Sequence, residues 1–183
     1  MNIISVSEWN DALWQDASPL YIEAFGDKGA KSVKIIKNMF AQGIAELHVG
    51  YIDSKAVVMA LIGKLVSERV LIIDYLAVSK EVRGHGLGKQ FVDNLREKAV
   101  DEGYQKIIIE AESEDTPDNK RRIHFWQSCG FILTEYVHHY IWVPETYHAM
   151  YLTLLPGLKK EAGEELFRYI ITFHKLSFRM SGK

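Results

Sequence analysis

The segment Leu76–Ala77–Val78–Ser79–Lys80–Glu81–Val82–Arg83–Gly84–His85–Gly86–Leu87–Gly88–Lys89 constrains this chain more than any other. It reads as a strand, a loop with three alternating glycines, and the opening of a helix. Glycines let backbone N–H groups converge with no Cβ in the way, and a helix N-terminus adds about half a positive charge. Such a loop is a cradle for phosphate oxygens, and Arg83 and Lys89 flank it with further charge. Spacing excludes two other phosphate loops. A dinucleotide fingerprint begun at Gly84 or Gly86 needs a glycine where Lys89 or Phe91 stands. A nucleotide-triphosphate loop ending at Gly88–Lys89 needs a glycine at Arg83 and a hydroxyl residue at Gln90.

The flanking pattern is that of a mixed α/β chain. A strand over Asn2–Val6 precedes a helical region holding Ala12, Leu13, Ile22, Ala24 and Phe25, with Pro19 as a break. Val33, Ile35, Ile36, Met39 and Phe40 mark a second helix. His48–Ile52, Ala56–Val66 and Val70–Val78 are rich in Val, Ile and Leu and read as a three-strand meander, with a tight turn at Asp53–Ser54–Lys55. The period then changes to that of a helix through Leu87, Phe91, Leu95 and Ala99, with Val92 beside them, and Gly103 suits its end. A buried strand over Lys106–Ala111 follows, then a helix from Pro117–Asp118 to Gly130. Strands over Phe131–Trp142 and Ala149–Leu154 come next. A final helix, Leu158–Phe178, carries an apolar stripe of Leu158, Ala162, Leu166, Ile170, Phe173 and Leu176.

The chain has 183 residues, 48% of them hydrophobic and 25% charged, which excludes a disordered chain and fits one domain. The core is expected over about residues 1–154, with 155–183 as a helical extension. Lys+Arg of 22 against Asp+Glu of 24 argues against a nucleic-acid binder. The lone Cys129 excludes an internal disulfide and a thiolate zinc cluster. No apolar run approaches the roughly 20 residues of a membrane span, and the first ten residues do not form a secretory leader. A cytoplasmic location is therefore expected, with neither nucleic acid nor membrane as partner.

The loop matches, at every fixed position, the signature Arg/Gln-x-x-Gly-x-Gly/Ala through Arg83, Gly86 and Gly88. In this the sequence resembles the GNAT N-acetyltransferases. The strand Ile73–Val78 looks like that family's fourth strand, and Asn119, Phe125–Trp126 and Gly130–Phe131 are spaced like three of its downstream positions. The resemblance covers about residues 70–131 strongly and the rest by element order. It implies the GNAT fold, a twisted mixed sheet of about seven strands with helices on both faces and here an extra C-terminal helix. It implies acetyl-CoA as cosubstrate and an amine as acceptor. Arg83, Gly84, His85, Gly86, Leu87, Gly88 and Lys89 would hold the pyrophosphate. Leu76, Ala77 and Val78 would receive the pantetheine arm, and Asn119 and Trp126 would meet the cofactor. The bland readings are a helix cap for Asn119 and a packed core ring for Trp126.

An amine of lysine type has a pKa of about 10.4, so a base must take its proton near neutral pH. Glu110 is the first candidate, with Asp74 and Glu112 behind it; the alternatives are solvated acids at strand ends and a water chain with no single base. Many family members carry a tyrosine acid at the position of Trp126, whose indole N–H delivers no proton. Tyr136 or Tyr140 would then supply the acid. Adjacent His138 and His139 face opposite sides of a strand, and with His148 they lack supporting ligands, so no metal is expected. The expected activity is direct acetyl transfer to a primary amine of a small molecule or peptide. The alternative is a non-catalytic acyl-CoA-binding module of the same fold. A third reading, an interaction protein, rests on the last helix, whose stripe either caps the sheet or forms a homodimer.

Overall fold

The computed structural model describes residues 1–26, 29–157 and 160–179. Its elements are β1 (Asn2–Val6), α1 (Asp11–Phe25), α2 (Val33–Ala41), β2 (Ala45–Ile52), β3 (Lys55–Leu65), β4 (Val70–Val78), α3 (Leu87–Asp101), β5 (Lys106–Glu112), α4 (Pro117–Ser128), β6 (Ile132–His139), β7 (Thr146–Thr153) and α5 (Gly163–Phe178). The strand order is β1-β2-β3-β4-β5-β7-β6, a mixed seven-stranded sheet of an α/β fold. Among the described residues no helix is long and apolar enough to cross a membrane.

Packing groups the chain into two compact units. The first comprises Met1–Lys64, Ile73–Phe91 and the chain from Phe173 onward. In it β1 pairs antiparallel with β2, and β2 with β3. The β2–β3 turn places Asp53 and Ser54 at φ 47° and 64°, the left-handed pair whose twist matches a two-residue hairpin. Asn10 and Ser32 cap α1 and α2 by accepting from Leu13 and Ile35 N–H. Ile36 and Met39 are fully buried. Gly50 leaves room for the Phe91 ring, which an added Cβ would approach to 3.3 Å.

The second unit comprises Leu65–Ile72 and Val92–Thr172. Here the start of β4 pairs in parallel with β5 over three residues, Val70↔Lys106 to Ile72↔Ile108, while β4 itself continues to Val78. β7 pairs antiparallel with both β5 and β6. Val92, Leu95 and Ala99 of α3 are buried, as their spacing predicts.

Five sequence expectations need correction. Pro19 does not break α1; it lies inside it. Proline removes the N–H that would reach the Gln15 carbonyl, and the Ser18 hydroxyl donates to that carbonyl at 3.4 Å instead. The meander strand expected from His48 begins at Ala45. β6 ends at His139, ahead of Pro144, and its partner strand starts three residues earlier than expected, at Thr146. The last helix starts at Gly163. Its buried face runs through Leu166, Phe167, Ile170, Phe173 and Ser177, whereas Ala162 is exposed and Leu176 half-buried. Leu158 lies outside the described residues.

Candidate active site

In the first unit, β4 delivers the glycine loop. Ala77 and Ser79 are buried, while Leu76 and Val78 are half-buried. Ser79 N–H donates to the Val57 carbonyl at 2.8 Å, which fixes where the strand ends. A short 3₁₀ turn over Lys80–Val82 follows, and Arg83 Nε then donates to the Val78 carbonyl at 3.0 Å, tying the loop back to its strand. His85 is exposed, with Nδ1 3.3 Å from the Val82 carbonyl. Gly84 and Gly86 sit at φ 83° and 76°, a region that costs other residues strain. A Cβ added at either would meet nothing within 4 Å, so these two glycines answer to backbone shape and leave open space in front of the loop. The first bond of α3 runs from Gln90 N–H to the Gly86 carbonyl at 3.0 Å. The amides of Leu87 and Gly88, ahead of it, therefore point out of the helix end. Gly88 is buried and Lys89 exposed.

Asp74, also on β4 in this unit, is not a solvated acid. Lys31 donates to both of its oxygens, at 2.6 and 2.7 Å, and the two side chains are 5% and 4% exposed. Nothing in the sequence flags Lys31, which lies 43 positions from its partner in a polar connection.

The second unit gathers Glu110, Tyr140 and their neighbours. Glu110 lies on β5 opposite Ala149, and Glu112, two residues on, faces Tyr147 across the same ladder. The Tyr140 hydroxyl donates to Glu110 Oε1 at 2.6 Å. Burial, then the Glu110 carboxylate, pushes the Tyr140 phenol far above the ordinary tyrosine range. Burial also raises the Tyr147 phenol to about 12, with Glu145, Glu110, Glu112 and Glu114 adding to the effect. The His138 ring stacks on Phe167 at 4.3 Å and meets Tyr140 edge-on at 4.5 Å. Burial draws its pKa down, opposed by Glu110 and reinforced by His139. The Tyr136 hydroxyl lies 3.3 Å from His138 Nδ1. Glu112 is engaged by Arg122 at 3.4 Å.

Asn119 and Trp126 are on α4 of this unit. The Asn119 side-chain amide donates to the Glu114 carbonyl at 3.1 Å, and its backbone N–H is capped by the Thr116 hydroxyl at 3.2 Å. The residue is buried and orders the helix start. Trp126 is half-buried, packed edge-on between Phe125 at 5.0 Å and Phe131 at 5.1 Å. Of the acids and phenols named from sequence, the structure joins Glu110 to Tyr140 and gives Asp74, Glu112 and Tyr136 other partners. His148 Nδ1 lies 3.0 Å from the Tyr136 carbonyl.

Comparison with known proteins gives the site its context. Residues 10–131 match the family profile of the acetyltransferase (GNAT) family. A 63-residue stretch is 37% identical to YjbC of Bacillus subtilis, a protein with an acetyltransferase name; it spans 33% of this chain and 30% of that one. A solved protein of Bacteroides thetaiotaomicron assigned to the GNAT family superposes with a TM-score of 0.76 at 17% identity, over 98% of this chain and 100% of its own. A Bacillus subtilis acetyltransferase solved in complex with CoA gives 0.60 at 19% identity, over 84% and 99% of the two chains.

Proposed function

The chain belongs to the GNAT family of acetyltransferases, and from that premise we propose that it transfers acetyl from acetyl-CoA to a primary amine. The observation that carries this reading is the glycine loop. Gly84 and Gly86 hold left-handed backbone, and the space in front of them would be filled by side chains at other residue types. The amides of Leu87 and Gly88 lead α3, and helix ends of this kind take phosphate oxygens. The loop therefore suits the pyrophosphate of CoA, with Arg83 and Lys89 supplying positive charge beside it. Likeness to the CoA-bound Bacillus subtilis structure supports the same assignment.

Acetyl-CoA supplies an activated thioester; the rest of the chemistry falls to this chain's residues. A backbone N–H at Val78 serves as the donor that stabilises the developing oxyanion. Glu110 accepts the proton that the acceptor nitrogen must lose, and the sulfur would depart as thiolate, a tolerable leaving group because a thiol pKa lies near about 8.5. The Tyr140 hydroxyl fixes that carboxylate by a bond of 2.6 Å, and the phenol stays protonated throughout the neutral range. Glu110 is preferred over Asp74, whose two oxygens are both taken up by an ammonium, and over Glu112, which Arg122 approaches.

Calorimetric titration with acetyl-CoA and CoA tests the loop. The wild-type chain is expected to bind both. Gly86→Glu, which strains a φ of 76° and sets a carboxylate in the phosphate space, is expected to bind neither. Folded wild-type protein that ignores both ligands would overturn the reading. Thiol release with primary amines then tests the base. Glu110→Gln should lower kcat by about 10²–10⁴-fold with acetyl-CoA affinity unchanged. Turnover with alcohols and none with amines would replace nitrogen by oxygen as the acceptor atom.

A further inference from the structure

The proposed reaction does not use Lys31, yet this is a buried cation in a built site. Its ammonium lies 2.6 and 2.7 Å from the two oxygens of Asp74, with the side chains 5% and 4% exposed. Three rings surround it: Tyr75 at 5.1 Å, Phe173 at 5.5 Å and Phe178 at 5.8 Å from the nitrogen to the ring centre. The segment that carries Lys31 is anchored without this ion pair. Tyr75 donates its hydroxyl to the Gly29 carbonyl at 2.7 Å and accepts from Lys31 N–H at 3.1 Å, and Tyr21 donates to the Lys31 carbonyl at 3.1 Å. Desolvation offsets much of what a buried ion pair gains, and these three bonds already hold the segment. A carboxylate presenting both oxygens, walled by aromatic faces, is instead the chemistry that recognises a primary ammonium.

We propose that Asp74, Tyr75, Phe173 and Phe178 form a binding site for a terminal primary alkylammonium, and that Lys31 is its tethered resident, which an incoming amine displaces. This deepens the amine-acceptor reading and rests on it for its purpose: Asp74 precedes by two residues the strand segment assigned to the cofactor arm. It also narrows the acceptor to an amine on an unbranched aliphatic stem, the shape that Lys31 itself presents. A tethered ammonium competes at an effective concentration on the order of millimolar or more, so an external amine binds the wild-type chain weakly and the truncated one well.

Lys31→Ala removes Cγ through Nζ, and n-propylammonium restores those atoms. Calorimetry and thermal melting of this variant, with no CoA present, are expected to show binding and a rise in Tm with n-propylammonium. Neutral propan-1-ol should do neither. The wild-type chain should need at least about tenfold more of the amine. The response should vanish in the double variant Lys31→Ala/Asp74→Asn. Folded Lys31→Ala that ignores the amine, responds equally to the alcohol, or responds without Asp74 overturns the proposal, as does equal affinity in wild type. Should Lys31→Ala fail to fold, the wild-type chain carries the test through its lysine ¹³Cε NMR signals, with Lys31 assigned by its loss in Lys31→Arg. That signal, shifted by three rings, should move toward the free-lysine position as n-propylammonium is added; a fixed signal overturns the proposal. Because none of these measurements contains CoA, failure here leaves acetyl-CoA binding standing, and failure there leaves the ammonium site standing.

Discussion

Tyrosine hydroxyls set the tone of the candidate site at the residue scale. Burial and nearby carboxylates raise the Tyr147 phenol to about 12, and burial raises Tyr21 and Tyr51 to about the same value. A phenol whose folded pKa lies above its unfolded value of about 10 stabilises the fold fully below pH 10, and that contribution is lost as pH rises from 10 through 12. Tyr147→Phe should therefore flatten the loss of stability across that window, read by urea unfolding at stepped pH. Phenolate absorbance should show Tyr147 ionising later than exposed tyrosines. A variant as pH-sensitive as wild type would reject Tyr147 as a contributor. Legibility in sequence at this scale followed distance along the chain. Arg83, Gly86 and Gly88 fall within six positions, and each demand on them is local, so a short motif records it. Lys31 and Asp74 meet across 43 positions, and a lysine between alanine and serine in a polar connection carries no mark of burial. Tyr140 was nameable as an alternative to Tyr136, but only the end of β6 at His139 decides which of the two reaches Glu110.

Elements follow periodicity where one partner dictates it and depart where a buried polar group needs an answer. The stripe of α3 was legible because Phe91, Val92, Leu95 and Ala99 recur at helical spacing and all four are buried. The stripe of α5 begins more than a turn later than its spacing predicts. Lys106 is buried on β5, and the chain ahead of α5 brings Glu161 to its ammonium as an ion pair, so the helix begins only at Gly163. Gly163 itself leaves no room: a Cβ there would lie 2.6 Å from Tyr136 Cβ and 2.7 Å from Thr134 Oγ1. The far end of α5 makes a similar demand on β3, where a Cβ at Gly63 would lie 2.3 Å from the Phe173 ring. Phe173 is fully buried and has nowhere to turn. Gly63→Ala is accordingly expected to cost about 1–3 kcal/mol, the usual range for overpacking a filled core. Phe173→Leu in the same chain should return part of it, measured by urea unfolding. A neutral Gly63→Ala would mean that the ring yields freely.

Whole-molecule behaviour turns on the elements that belong to both compact units. β4 gives Val70–Ile72 to one and Ile73–Val78 to the other; α3 divides after Phe91 and α5 before Phe173. A helix propagates cooperatively once nucleated, so melting one half of α3 or α5 removes support from the other. We expect the two units to unfold together, in one transition with calorimetric and van't Hoff enthalpies equal. The proposed function sharpens the expectation. The glycine loop and Asp74 belong to the first unit, and Glu110 and Tyr140 to the second. A ligand that binds only the folded chain raises stability by RT ln(1 + [L]/Kd), about 2.7 kcal/mol at a hundredfold excess over Kd. If unfolding is coupled, CoA held on the loop must shift the loss of near-ultraviolet signal from the aromatic cluster of Trp126, Phe125 and Phe131 by as much as that from the Trp9, Trp14 and Phe40 cluster. Trp9→Phe/Trp14→Phe and Trp126→Phe/Trp142→Phe variants separate the two signals. Equal shifts in Tm support a single cooperative domain over the whole chain. A shift confined to the Trp9 and Trp14 signal would divide it in two.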